Sequence, residues 1–169
     1  MEDRERTYLS LIRENRGQLR KICRVYGNGA ADREDLRQEI LLQLWRSLPS
    51  FRGEAEPGTW LYRVALNTAL SRERDRDARH EARLREEDAA VPDRPARPDR
   101  EFEDRERLER LYRAIDRLDE PDRALVLMYL EEKSYGEMAE VLGISQNYVG
   151  VKLHRIRERL SEWLSEEDT

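Results

Sequence analysis

Ser134-Tyr135-Gly136-Glu137-Met138-Ala139-Glu140-Val141-Leu142-Gly143-Ile144-Ser145-Gln146-Asn147-Tyr148-Val149-Gly150-Val151-Lys152-Leu153-His154-Arg155-Ile156-Arg157-Glu158-Arg159-Leu160 reads as two helices joined by a tight turn. Ser134 and Glu137 have capping-box spacing: the hydroxyl caps a backbone N–H while the carboxylate reaches back to the cap's own N–H. The short helix that follows places Met138, Ala139 and Leu142 on one face. Gly143 supplies the left-handed conformation that ends it, Ile144 plugs the space between the helices, and Ser145 caps the second one. In that second helix Val149, Leu153, Ile156 and Leu160 point inward. Gln146, Asn147, Tyr148, Lys152, Arg155 and Arg159 are left to face outward. Amide, phenol and cationic groups on the second helix of such a pair contact base edges and phosphates. The segment therefore predicts a DNA-docking helix-turn-helix, with an ordinary helical hairpin as the alternative on this stretch alone.

Upstream of it, Leu125, Val126, Met128 and Tyr129 belong to a helix that restarts after Asp119-Glu120-Pro121. Before that, Phe102, Leu108, Leu111, Tyr112, Ile115 and Leu118 mark another amphipathic helix. Residues 86–101 hold three prolines at a spacing of three and almost nothing to bury, so they read as an extended linker. The stretch carries the acids Glu86, Glu87, Asp88, Asp93, Asp99 and Glu101, and a passive tether is its default reading.

The first half is helical as well. A helix is expected from about Arg4 to Tyr26, stopped by Gly27-Asn28-Gly29. Asp32 is the expected N-cap of the next, whose stripe is Leu36, Ile40, Leu41, Leu44, Trp45 and Leu48, and Pro49 ends it. Ser50 to Gly58 reads as a loop. A third helix begins near Thr59 with Trp60, Leu61, Val64 and Leu70 as core candidates. Its charged continuation to about Arg85 carries Arg63, Arg72, Arg74, Arg76, Arg79, Arg83 and Arg85. That density suits a phosphate backbone, although the interleaved Glu73, Asp75, Asp77 and Glu81 equally suit a solvated, internally paired helix.

The composition fits an all-α chain of two small helical domains: 169 residues, 41% of them charged and 38% hydrophobic, with apolar positions recurring at helical spacing. The net charge of -5 conceals an asymmetry. Residues 1–85 hold 18 Lys and Arg against 14 Asp and Glu, whereas residues 86–169 hold 14 against 23. The single cysteine, Cys23, lies in the apolar series Leu19, Ile22, Cys23, Tyr26 and excludes an intramolecular disulfide. The charged start (Glu2, Asp3, Arg4) lacks a signal segment and no run reaches membrane-spanning length, so a cytoplasmic location without membrane insertion is expected. His80 and His154 have no nucleophile, carboxylate pair or metal-ligand pattern nearby, and no phosphate-binding glycine loop is present. The expectation is a protein that is not an enzyme and uses no cofactor or metal.

Taken together, the two halves resemble the extracytoplasmic-function (ECF) sigma factors, group 4 of the primary-sigma-like superfamily. The matching stretches in the first half are Asp32-Arg33-Glu34-Asp35-Leu36-Arg37-Gln38-Glu39-Ile40-Leu41-Leu42-Gln43-Leu44-Trp45, then Phe51, then Trp60-Leu61-Tyr62-Arg63-Val64-Ala65-Leu66-Asn67. In the second half they are Leu118, Arg123, Ser134 to Ser145 and Leu153-His154-Arg155-Ile156-Arg157. The resemblance implies a sigma domain 2-like bundle over 1–85, the linker over 86–101 and a sigma domain 4-like helix-turn-helix over 102–169. It implies that Asp35, Leu36, Gln38 and Glu39 grip the polymerase's coiled-coil clamp. It further implies that Phe51, Arg52, Gly53, Trp60, Arg63, Asn67, Arg72 and Arg74 meet the -10 element, and that Ser145, Gln146, Asn147, Tyr148, Lys152, Arg155 and Arg159 meet the -35 element. Stacking aromatics and a basic groove are what opened DNA requires, although Trp60 equally fits a core.

The implied partners are core RNA polymerase, promoter DNA, and an anti-sigma factor or another regulatory or recruiting protein. This chain departs from the family pattern in the recognition helix, where Tyr148-Val149-Gly150-Val151-Lys152 replaces a run richer in basic and small polar residues. Its usual proline after Leu118 is displaced to Pro121. A weak or unusual upstream contact, helped by a recruiting partner, is therefore expected. A free-standing helix-turn-helix regulator is the alternative function, and it leaves the first half unexplained.

Overall fold

A computed structural model of the chain describes residues 2–83 and 102–167. Every regular element among the described residues is helical. The chain divides between Arg94 and Pro95 into two compact units. The stretch 86–101, with its acidic residues, and Arg85 lie outside the described residues.

In the first unit, α1 (Glu2–Glu14), α2 (Arg16–Tyr26), α3 (Gly29–Ser47) and α4 (Pro57–Arg83) surround one core, with a 3-10 turn at Leu48–Ser50. The single helix expected from Arg4 to Tyr26 is in fact two. Asn15 interrupts it, and its side-chain Nδ2 donates to the Leu11 carbonyl at 2.8 Å. A second correction concerns Asp32, which is not the N-cap of α3: Asn28 holds that position, and Asp32 Oδ2 accepts from the Asn28 N–H at 2.7 Å. α4 begins two residues earlier than Thr59, with Pro57 as its first residue, where a missing N–H costs nothing.

Burial is continuous along the facing stripes Leu19, Ile22, Cys23 and Tyr26 of α2, Leu36, Ile40 and Leu44 of α3, and Leu61, Tyr62, Ala65, Leu66 and Ala69 of α4. Burying each large aliphatic side chain is worth about 1.5–3 kcal/mol. Burial also pushes the Cys23 thiol up to about 11, as expected for a packing residue. α1 is tied to α3 by polar anchors: Tyr8 Oη donates to the Leu41 carbonyl at 2.8 Å and Arg4 to the Trp45 carbonyl at 2.5 Å. At the α2–α3 corner Gly27 has no room for a side chain. A Cβ there would lie 2.6 Å from both Arg33 Cγ and the Cys23 carbonyl oxygen.

The second unit comprises α5 (Phe102–Asp116), α6 (Glu120–Leu130), α7 (Tyr135–Leu142) and α8 (Gln146–Glu167). Asp119 caps α6 by accepting from the Asp122 N–H at 3.0 Å, and Pro121 sits in the first turn. Both halves of the capping box on α7 are formed: the Glu137 N–H donates to Ser134 Oγ at 3.2 Å, and the Ser134 N–H to Glu137 Oε2 at 2.7 Å. Gly143, at φ 67°, ends α7 in the left-handed region. The core joins Tyr112, Ile115 and Leu118 to Ala124 through Met128, Met138, and the α8 stripe Val149, Leu153, Ile156 and Leu160. Leu108 and Tyr129, expected on apolar faces, are exposed.

Candidate nucleic-acid and partner interfaces

Three surfaces carry the residues singled out by sequence. On α3, Asp35, Gln38 and Glu39 are exposed and share one side of the helix at i, i+3 and i+4. Leu36 is different. It is fully buried in the core, so a direct contact with a partner is corrected to a packing role that fixes how α3 presents its neighbours. One residue missed by sequence completes the exposed line: Leu42, 48% exposed, lies one turn beyond Gln38 and Glu39. The available signal was a leucine lying off the buried stripe. Glu34 receives both Arg37 Nε at 2.9 Å and Arg37 Nη2 at 2.8 Å, and Gln38 Nε2 at 3.3 Å. These bonds, that of Arg37 first, hold its carboxyl down to about 2.

The second surface is the turn before α4 and the exposed line along it. Phe51 and Trp60 are both half-buried, with ring centroids 5.0 Å apart at 40°. Arg52 and Gly53 are exposed beside them, Gly53 with φ 74°. Trp60, Arg63, Asn67 and Arg74 follow at helical spacing on α4, so the aromatic pair opens onto a line of hydrogen-bonding and cationic groups. Arg72 leaves that line. Its guanidinium bonds Asp32 Oδ1 at 2.5 Å and Glu39 Oε2 at 2.9 Å, while Arg76 stands 3.5 Å from Asp32 Oδ2. The expected arginine cluster is thus divided, with Arg72 and Arg76 clamping α4 to the start of α3. Burial pushes the Asp32 carboxyl up, but the Asn28 N–H and the Arg72 guanidinium outweigh it and the net shift is downward.

The third surface is α8. Ser145 Oγ accepts from the Tyr148 N–H at 3.2 Å and caps the helix. Asn147, Tyr148 and Arg155 are exposed. Gln146, also exposed, has its Nε2 lying back over Gly136 of α7, where a Cβ would meet it at 3.2 Å. Lys152 and Arg159, expected to face outward freely, instead converge on Asp122 of α6. Lys152 Nζ donates to Asp122 Oδ1 at 2.5 Å and Arg159 Nη2 donates to Oδ2. Sequence reasoning missed Asp122, which is 30 and 37 positions away from its two partners. Burial lowers the Lys152 ammonium, but the hydrogen bond and charge of Asp122 outweigh it, so its pKa rises.

A four-helix bundle carrying a half-buried aromatic pair, and a second unit ending in a capped helix-turn-helix, define a two-region, all-helical protein. Residues 11–79 match Sigma-70 region 2 and residues 108–160 match Sigma-70 region 4. The ECF RNA polymerase sigma factor SigM of Mycobacterium tuberculosis is 30% identical over 155 residues, covering 91% of this chain and 75% of that protein. The chain belongs to the ECF sigma factors. It is an RNA polymerase-binding, promoter-directed initiation factor of a family whose members are not enzymes. Among solved structures, the sigma factor RpoE in complex with the anti-sigma factor NepR from Bartonella quintana shares the fold, with a TM-score of 0.73, 22% identity and 98% coverage of both chains. CnrH in complex with the cytosolic domain of CnrY does so with a TM-score of 0.67 and 22% identity, over 96% of this chain and 90% of that one. Among the described residues no helix is long and apolar enough to cross a membrane.

Proposed function

We propose that residues 1–85 bind core polymerase and the -10 element, that residues 86–101 link the two functions, and that residues 102–169 bind the -35 element. Asp35, Gln38 and Glu39 make the polymerase contact. Phe51, Arg52, Gly53, Trp60, Arg63, Asn67 and Arg74 receive the opened -10 strand, with Arg72 bracing α4 rather than reading DNA. Ser145, Gln146, Asn147, Tyr148 and Arg155 meet the upstream duplex, while Lys152 and Arg159 are held back by Asp122. The observation that carries this division is on α8, whose apolar side is sealed into the core while its N-terminal amide and phenol side chains stay exposed.

Catalysis belongs to the polymerase, and the protein works in the cytoplasm. An anti-sigma factor, or another regulatory or recruiting protein, covers these surfaces when initiation is to be prevented or redirected. That two structural neighbours were solved in complexes with NepR and with the cytosolic domain of CnrY supports this part. The upstream contact is weak by itself, because the second half of the chain is acid-rich and Gly150 lowers the intrinsic stability of its recognition helix.

In vitro transcription with core polymerase over a randomised promoter library tests the whole assignment. Polymerase-dependent initiation with both DNA preferences is expected. Gln38→Ala with Asp35→Ala abolishes co-elution with core polymerase, and Asn147→Ala relaxes only the upstream preference. Tight upstream protection by the isolated protein would refute the weak contact.

A further inference from the structure

The crest of α8 differs from the surface that sequence spacing suggested. Val149, Leu153, Ile156 and Leu160 are buried. At 3.6 residues per turn, the side of the helix opposite them carries Asn147, Val151, His154 and Glu158. Lys152 and Arg159 lie on one flank, turned toward Asp122, and Gly150 lies on the other, where a Cβ would stand 3.5 Å from the Tyr135 ring. Val151 is therefore the residue at the centre of the outward face, and it is 48% exposed.

We propose that Val151 is a specificity-determining residue that packs against the C5-methyl of a thymine in the upstream promoter element. This proposal rests on α8 being the helix that meets upstream duplex. Of the four bases, thymine alone presents a methyl group in the major groove, and small apolar side chains are its natural contacts. A β-branched side chain is stiff at χ1, so its apolar end is presented with little ordering cost. Facing cytosine, the same side chain would cover an amino group without accepting its hydrogen bond. The surroundings favour a nucleic acid over an apolar protein surface: an amide at Asn147, an imidazole at His154, a guanidinium at Arg155 and the positive end of α8 adjoin the valine.

The test uses holoenzyme assembled from core polymerase and the full chain. An upstream duplex is first selected from a random pool, and each selected thymine is then replaced by uracil, which removes only the methyl. Wild type is expected to prefer thymine roughly fourfold at one position, equivalent to about 0.8 kcal/mol for one buried methyl. Val151→Ser erases that preference while leaving protection at the other positions and the melting temperature in place, since the side chain is exposed. Upstream protection without methyl sensitivity, or a methyl preference that survives in Val151→Ser, overturns the assignment of Val151 alone. Initiation without any upstream protection overturns it together with the DNA-reading role of α8.

Discussion

Asp122→Asn is the sharpest probe of how the second unit is held together. The Asp122 side chain is 5% exposed, whereas those of Lys152 and Arg159 are 21% and 42% exposed. Breaking a fully buried ion pair costs about 3–5 kcal/mol and breaking an exposed one about 0–1. The Lys152 contact falls between these limits at about 1.5 kcal/mol, and the Arg159 contact, which keeps more water, at about 0.5. Asp122 also lies in the first turn of α6, where a negative charge contributes about 0.5 kcal/mol against the helix dipole. The expected loss is therefore about 2–3 kcal/mol. Hydrogen exchange of α8 amides in the full chain reads this unit separately from the first, and 2 kcal/mol corresponds to roughly 30-fold faster exchange. Lys152→Met should cost less, because Arg159 still neutralises the carboxylate, and combining the two substitutions should be clearly non-additive. Exchange in α8 that changes by less than twofold, or strict additivity, would refute the reasoning.

Other perturbations separate local from tertiary effects. Gly27→Ala forces a Cβ to within 2.6 Å of the Cys23 carbonyl oxygen, and a loss of about 1–3 kcal/mol is expected in denaturant unfolding. Gly150→Ala places its Cβ at an ordinary 3.5 Å from the Tyr135 ring, so it should stabilise α8 by about 1 kcal/mol, seen as slower exchange in that helix. Asp32 has a folded pKa below its unfolded value, so its stabilisation is complete above the unfolded value of about 4 and is lost as pH falls through the folded one. The opening free energy of α3, from amide exchange corrected for the intrinsic rate at each pH, should therefore fall on acidification below that value, and Asp32→Asn should flatten the dependence.

The helix-turn-helix was legible because its determinants are local. A hydroxyl and a carboxylate three apart, then a glycine at φ 67°, fix both ends of α7 without help from distant residues. The apolar stripe of α8 was legible for the same reason, and all four of its inward residues are buried. What escaped the sequence depends on residues far apart in the chain. Asn15 breaks the first helix beside Gly58 of α4, where a Cβ would lie 3.0 Å from Asn15 Oδ1. Arg72 is drawn to Asp32 and Glu39 across 40 and 33 positions, and a row of arginines does not show which member a carboxylate on another helix will take. Spacing puts Leu36 in the apolar stripe and the family resemblance puts it on a partner surface; full burial leaves only the first.

These pairings bear on how an acid-rich initiation factor meets DNA. The chain has 32 basic and 37 acidic residues, and several cations near its proposed DNA faces have internal counter-ions. Arg72 and Arg76 are engaged by acids of α3, and Lys152 and Arg159 by Asp122. Each phosphate neutralised by a protein cation steepens the salt dependence of binding by about 0.9 logarithmic units per decade of salt. Cations already neutralised inside the fold release few counterions, so the isolated chain should bind duplex weakly and with a shallow salt slope. On the proposed assignment, discrimination would then fall to contacts that do not rely on net charge: base edges at Asn147, and stacking on the Phe51–Trp60 pair once the strands separate. For a subunit that reaches promoters as part of polymerase, low bulk attraction has a clear consequence. The free protein should then be little drawn onto non-specific DNA, and promoter contacts should become effective when polymerase holds them at high local concentration.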